Sequence, residues 1–367
     1  MKFNHNHYVP CLRWKQGEYQ AVTTLSSVTK DYITPLLEVP EMGFDFEKKE
    51  ESKTIDEHLA PFAKRILEKW GKRECFVDLS LIDSDRRQME DGRHPVLFVF
   101  EGLNAIGCRA IPVTGVERGA EYQEAIASVI EEQDCELCIR LRIEDASATN
   151  IRALIDAVLK KTSRLPNRCH CIVDLGAPSF APVEGFAKLV EAVIRRLPYL
   201  QDWQTVSLIG TAFPESMGIL EIGSTVVERS EWLLYKTVIR NLAKAGVRLP
   251  TFGDYAINHP RVSQMDMRLV KPSGTIRYAI DDGWLVVKGR NIRDKKGLAD
   301  FRKHCRTVMQ SAYYTGEGFS EGDSYIYKCA NGTASTGNAT VWRRVGTSHH
   351  LQKVSADIAT FFALSKL

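Results

Sequence analysis

Short apolar runs recur along the first 260 residues, and each is followed by a polar turn and a segment with helical spacing of its apolar residues. This alternation is typical of parallel strands that are joined by covering helices. The eight runs lie at 7–13, 33–38, 75–80, 109–114, 137–142, 169–174, 206–211 and 251–256. They predict an α/β fold, a (β/α)8 TIM-like barrel formed by residues 1–262.

The helical spacing is clearest at 153–159 and 186–194, where one face is apolar and the other carries lysine and glutamate. The segment 55–70 has the same pattern and predicts another covering helix. The connection at 215–246 is longer than the others. Its glycines predict a loop or short helix before a main helix at 232–242.

The alternation of predicted strands and helices ends after residue 257. The runs 275–280 and 284–288 flank Asp281-Asp282-Gly283 and predict a β-hairpin. A helix at 296–311, a glycine-rich loop over 314–350 with a strand at 325–328, and a last helix at 354–364 complete the prediction. We expect residues 263–367 to form a C-terminal α+β extension packed over or beside the barrel, because their aromatic residues are too many for a disordered linker.

Composition adds little about function. The chain has 367 residues, 44% hydrophobic and 26% charged, with a formal net charge of +3. The near-balance of charge leaves nucleic acid open as a partner but does not indicate it. The first residues lack the apolar core of a signal peptide, and no segment reaches the roughly 18 apolar residues of a membrane span. We therefore predict a cytoplasmic protein, with its nine cysteines as reduced core thiols.

Charged residues close several of the predicted strands, where a barrel of this type has its active site. The carboxylates among them are Glu38, Asp78, Asp174 and Asp254. Asp78 and Asp174 lie inside apolar runs, and a buried carboxylate requires a cation, a metal or several hydrogen-bond donors. Arg140 and Arg142 share one face of their strand and are the predicted partners. No Walker loop, serine-hydrolase elbow or zinc-protease helix motif occurs in the sequence.

Several short phrases are spread over nearly the whole chain. They are Tyr8-Val-Pro10, Lys15-Gln-Gly-Glu18, Pro35-Leu-Leu-Glu38, Phe252-Gly-Asp-Tyr255, Arg277-Tyr278, Gly322-Asp323, Gly337-Asn338, Trp342-Arg343 and His349-His350. Together they resemble the Beta protein family of bacteriophages, satellite prophages and bacterial genomes. The resemblance implies a role in phage defence, in which the protein helps to restrain a killer protein encoded in the same locus.

The phrases come both from the predicted barrel mouth and from the extension. We therefore expect the extension to fold over the C-terminal face, so that Arg277, His349 and His350 join the strand-end residues in one pocket. If His349 and His350 lay far from Glu38 and Asp254, this expectation would be wrong.

Two classes of function stay open. In the first, the protein is antitoxin-like or regulatory and binds the killer protein, and its barrel is a scaffold whose ancestral site is idle. In the second, it is a metal-dependent phosphodiesterase or nuclease. Its divalent cation would be held by Glu38, Asp78, Asp174 and Asp254, with a histidine or arginine handling the phosphate.

Overall fold

We describe the fold from a computed structural model, which covers residues 3–45, 48–83, 88–261, 272–293, 297 and 299–365. The strands are β1 (Cys11–Arg13), β2 (Leu36–Glu38), β3 (Phe44–Asp45), β4 (Glu50–Glu51), β5 (Cys75–Asp78), β6 (Ala110–Thr114), β7 (Leu137–Arg142), β8 (Cys169–Asp174), β9 (Val206–Ile209), β10 (Gly223–Glu228), β11 (Thr251–Gly253), β12 (Ser273–Ile280) and β13 (Gly283–Asn291).

Eight of these strands form one parallel sheet in the order β1-β2-β5-β6-β7-β8-β9-β11. The backbone N–H of Val9 donates to Phe252 O over 2.9 Å, and that of Cys11 donates to Asp254 O over 2.7 Å. These bonds join the two edges of the sheet, which is a nearly closed barrel. All eight predicted barrel strands are therefore confirmed, several of them shorter than predicted.

The barrel interior is filled by the side chains that alternate inward along each strand, including Cys11, Leu36, Phe76, Cys138 and Ile172. The opposite faces of the strands pack against the helices in a larger apolar layer. Because the period of a strand is two, this register decides which strand-end residues meet inside the mouth.

The helices cover the barrel and form much of the C-terminal extension, which we call the tail. They are α1 (Gln16–Thr23), α2 (Ser27–Asp31), α3 (Ile55–Leu59), α4 (Phe62–Lys69), α5 (Pro95–Ala105), α6 (Ala120–Gln133), α7 (Ile143–Ser147), α8 (Ile151–Lys161), α9 (Val183–Arg196), α10 (Ser230–Lys244), α11 (Asp300–Gln310), α12 (Glu321–Ala330) and α13 (Ala339–Ser365). The helix predicted at 55–70 is two helices, α3 and α4, divided around Pro61.

The predicted hairpin is present as β12 and β13, and it gains a third strand that the sequence did not predict. β10 lies in the long connection before α10 and pairs antiparallel with β13. It follows a short 3₁₀ turn, Met217–Ile219. The barrel connection that contains β10 and the tail hairpin of β12 and β13 therefore belong to the same sheet.

Two predictions for the tail are wrong. The segment 325–328, predicted as a strand, lies in α12, where Ile326, Cys329 and Ala330 are buried at helical spacing. The last helix, predicted at 354–364, is the long α13, and it includes 339–350, which was predicted as a loop. Small residues there allow close packing, since a Cβ on Gly346 would lie 3.0 Å from Arg277 O. No helix in the described part of the chain is long and apolar enough to cross a bilayer.

Candidate functional site

The mouth of the barrel contains a buried ion-pair network centred on Arg140, which we call the mouth cluster. Arg140 donates from Nη1 to Glu38 (2.9 Å) and Asp78 (2.8 Å), and from Nη2 to Asp174 (2.6 Å) and the Tyr255 hydroxyl (2.8 Å). Its Nε donates to Asp174 over 2.9 Å, and Tyr255 in turn donates to the same carboxylate. Every nitrogen of this guanidinium group therefore has an acceptor.

Two further arginines balance the charge of the mouth cluster. Arg118, from the loop after β6, lies 3.4 Å from Asp78, and Arg13 of β1 lies 3.8 Å from Glu38. Burial would raise the pKa of Asp78, but the Arg118 and Arg140 guanidinium groups and the Ser80 amide outweigh it, so the pKa is lowered. The cluster is a set of three cations and three carboxylates, so its formal charges balance.

Arg142 does not join this network, contrary to the sequence prediction. It is exposed and pairs with Asp145, because β7 ends there and the chain turns into α7. Its parity matches that of Arg140, but its side chain lies beyond the rim of the barrel.

Asp254 also lies elsewhere. The inward position at the end of β11 belongs to Tyr255, so Asp254 points outward, where it accepts from the Tyr8 hydroxyl over 2.5 Å and is 2.8 Å from His350 Nε2. The four carboxylates predicted to hold a cation are therefore not one site: Arg140 lies among Glu38, Asp78 and Asp174, and the fourth is paired with a histidine. Within the described ranges, no three histidine, cysteine, aspartate or glutamate side chains are grouped to bind a metal.

The histidine pair on α13 joins the tail to the rest of the fold. His350 is fully buried against Asp254, and Trp284 Nε1 donates to its Nδ1 over 3.4 Å. Burial lowers the pKa of His350 despite the adjacent Asp254 carboxylate. Because Trp284 donates to Nδ1, the ring proton is on Nε2 and is donated to Asp254. The expected contact between the tail and Asp254 is present, but Glu38 is not part of it.

His349 points into the tail and not towards the barrel mouth. Its Nδ1 is 2.9 Å from an oxygen of Asp323, and its Nε2 is 2.8 Å from Ala279 O. Its ring stacks on Tyr278 with centroids 3.7 Å apart. His349 is a packed core residue of the tail, and the single pocket expected to contain both histidines and the strand-end carboxylates is not formed.

A cavity of about 500 Å³ lies beside the mouth cluster, between the barrel rim and the tail. We call it the seam cavity. It is lined by five cationic side chains and two carboxylates. The cations are Arg13, Lys15, Arg261, Arg277 and Arg343, and the carboxylates are Glu18 and Glu215. Its volume is within the range of roughly 300–1,000 Å³ that is usual for small-molecule sites.

Most of these cations already have partners. Lys15 pairs with Glu41 at 2.6 Å and Arg261 with Glu215 at 3.5 Å. Arg343 donates to Asn258 and lies 3.7 Å from Glu18. The remaining positive charge is therefore concentrated on the side of the cavity that β12 forms.

Arg277 lies on that side and, unlike the other cations of the cavity, has no described carboxylate partner. It donates to Ile257 O over 3.2 Å, its guanidinium carbon lies 5.2 Å from the centre of the Phe213 ring, and it forms no ion pair with any carboxylate among the described residues. Burial, together with the nearby Arg343, lowers the pKa of Arg277 to about 9. The group is therefore still cationic at neutral pH. Among the described residues no carboxylate is in contact with it, although the charge of Glu18, which lines the same cavity, acts on it.

The first turns of two helices also line the seam cavity, namely Gln16 and Gly17 of α1 and Ala339 and Thr340 of α13. Amide groups at a helix N-terminus favour anions. Gly17 permits the approach of the helices, because a Cβ there would lie 2.7 Å from Arg343 Cβ.

The sequence pointed to Arg277 and Arg343 only through the family phrases, and it did not single out Phe213 or Arg261 as site residues. Phe213 and Arg261 lie outside regular elements, after β9 and β11. Neither hydrophobic periodicity nor a spacing rule identifies such positions.

Chains of known structure that resemble this one include a triosephosphate isomerase from Bartonella henselae (10% identity, 68% of this chain and 92% of that chain, TM-score 0.33). They also include the active domain 2 of a chitinase from Pyrococcus furiosus (10%, 69% and 84%, 0.35) and a GH5-4 endoglucanase from an uncultured bacterium (7%, 68% and 81%, 0.34).

No curated protein sequence matches the chain. The model of the Beta protein family matches residues 8–356, which is nearly the whole chain. The chain therefore belongs to the Beta protein family.

Proposed function

We propose that this protein is a binding protein that takes an anionic, phosphate-bearing ligand in the seam cavity. The observation that carries the proposal is Arg277, a cation in a cavity whose described residues give it no carboxylate partner. Desolvating a charge without a partner is costly, and a phosphate group between Arg277 and Arg343 would remove that cost.

The mouth cluster supports a binding role over catalysis at the barrel mouth. An active site needs side chains that are free to contact a substrate, but the Arg140 guanidinium is fully occupied by its own neighbours. A metal-dependent phosphodiesterase or nuclease is the alternative. Its cation would have to displace Arg140 from Glu38, Asp78 and Asp174 or bind elsewhere, because Asp254 is paired with His350.

The experiment is a thermal-shift titration of the full chain with inorganic phosphate and pyrophosphate at constant ionic strength. A ligand at 100 times its Kd stabilises the native state by about 2.7 kcal/mol. We expect pyrophosphate to raise the Tm of the wild type but not of Arg277→Gln. Arg109→Gln is the matched control, because Arg109 is an exposed arginine paired with Glu74 at the other end of the barrel. Equal shifts in all three proteins would contradict the proposal.

Family membership adds a second proposal, the restraint of a killer protein from the same locus. The mouth cluster favours it, since a barrel mouth whose charges are already paired suits a scaffold for binding. We expect a folded Arg277→Gln variant to suppress killer toxicity less well than wild type in a co-expression growth assay. If that variant suppressed toxicity as well as wild type, restraint of the killer would not depend on the seam cavity.

A further inference from the structure

The seam cavity adjoins a second cavity of about 480 Å³, with which it shares lining residues and which we call the side cavity. Arg277 and Arg343 line both, as do Glu215 and Ala339. An anion held between the two arginines would therefore lie at the junction, and the rest of its molecule would have a lined space to enter.

The side cavity differs in chemistry from the seam cavity. Its apolar lining comes from Met217, Ile292, Phe301 and Trp342. The rings of Phe301 and Trp342 stack with centroids 4.3 Å apart and planes at 4°, and these mostly buried side chains form an aromatic base to the cavity. Such a surface suits a flat, apolar ring system, not a second anion.

The side cavity also has polar lining residues. Thr275 and Ser273 share a hydrogen bond of 3.0 Å between their hydroxyl groups, and Lys288 donates to Leu220 O. Thr275 also donates to Ser273 O over 3.3 Å. Each hydroxyl oxygen can still accept a hydrogen bond, and the Lys288 ammonium has two other donors. A ring with its own donors and acceptors therefore has hydrogen-bonding partners in the side cavity.

We propose that the ligand is a nucleoside phosphate, with its phosphates between Arg277 and Arg343 and its base in the side cavity. This inference rests on the proposed function, because it names the ligand class of the same site. A sugar phosphate would leave the aromatic base uncovered, and pyrophosphate alone would leave the whole side cavity empty.

Isothermal titration calorimetry without added divalent metal tests the ligand class with four probes, namely ADP, GDP, pyrophosphate and ribose 5-phosphate. We expect at least one nucleoside diphosphate to bind at least tenfold more tightly than pyrophosphate and ribose 5-phosphate. Equal affinity for pyrophosphate or ribose 5-phosphate would overturn the nucleoside inference and leave the proposed function standing. No binding of any anionic probe would overturn the proposed function itself.

Two residues of one surface turn provide matched variants. Met217 lines the side cavity, whereas Ile219 is 73% exposed and outside the lining. We expect Met217→Ala to weaken nucleoside diphosphate binding about tenfold through lost apolar contact and to leave pyrophosphate binding unchanged. Ile219→Ala should change neither affinity.

A second variant fills the side cavity, and it is needed if removing the Met217 side chain alone changes the affinity too little. Thr275→Phe places an aromatic ring at a strand position of the side cavity, and we expect it to remove the preference for nucleoside diphosphates over pyrophosphate. Unchanged nucleoside diphosphate affinity in both Met217→Ala and Thr275→Phe would place the base elsewhere and overturn the inference.

Discussion

Replacing Arg140 by methionine tests whether the mouth cluster stabilises the barrel. The change leaves Glu38, Asp78 and Asp174 buried and removes the one group that contacts all three. Breaking a buried ion pair in this way costs about 3–5 kcal/mol. Arg13 and Arg118 still lie near two of the carboxylates, so we expect a loss towards the lower end, about 3 kcal/mol at pH 8.

The loss should depend on pH with a defined sign. In the wild type the pKa of Asp78 is lowered, because the neighbouring arginines outweigh its burial. Its contribution to stability is therefore present above the pKa of an unfolded aspartate, about 3.9, and is lost as the pH falls through the lower folded value. Without Arg140, burial should raise the pKa of Asp78. The variant then takes up a proton more easily, and its deficit should shrink from pH 8 to pH 5.

The assay is urea unfolding followed by far-ultraviolet circular dichroism at pH 8 and pH 5. Arg142→Met is the matched control, because Arg142 is exposed and its pair with Asp145 is worth less than about 1 kcal/mol. If Arg140→Met were as stable as Arg142→Met at pH 8, the mouth cluster would not stabilise the barrel. A deficit of the same size at both pH values would refute the electrostatic explanation.

Three other predictions follow from packing and burial. Gly17→Ala would place a Cβ 2.7 Å from Arg343 Cβ and should cost about 1–3 kcal/mol in urea unfolding, whereas Gly318→Ala, with no atom within 4 Å, should cost little. Burial lowers the pKa of His7 to about 4, so the free energy of unfolding should decrease by about 3 kcal/mol as the pH drops from 6.5 to 4. In His7→Gln the free energy of unfolding should decrease less over the same pH range. Of the nine free thiols, all but Cys135 are buried, so a thiol reagent should label Cys135 first and all nine only after unfolding. If the unfolded protein had far fewer than nine reactive thiols, disulfides would be present.

The barrel could be predicted from the sequence because its strands are continuous apolar runs buried on both faces. The mouth cluster was partly predictable for the same reason. Asp78 and Asp174 stand out within apolar runs and require partners, and Arg140 has the correct parity. Parity alone could not show that β7 ends at Arg142, or that Tyr255 rather than Asp254 occupies the inward position.

The tail was less predictable because its buried helix does not look apolar. Residues 346–350 of α13 are glycine, threonine, serine and two histidines, and all five are buried. Their partners, such as Asp254 and Asp323, lie far away in sequence. The seam cavity combines side chains from β1, α1, β12, α13 and two loops, and no local pattern indicates such a long-range arrangement.

The most direct test of the anion site is an anomalous difference map from crystals of the full chain soaked in selenate, a phosphate-like anion with a strong anomalous scatterer. We expect a selenium peak in the seam cavity within hydrogen-bonding reach of the Arg277 and Arg343 guanidinium groups, and no such peak in Arg277→Gln crystals. A map with selenium only at surface positions outside the seam cavity, or with the same cavity peak in both proteins, would contradict it.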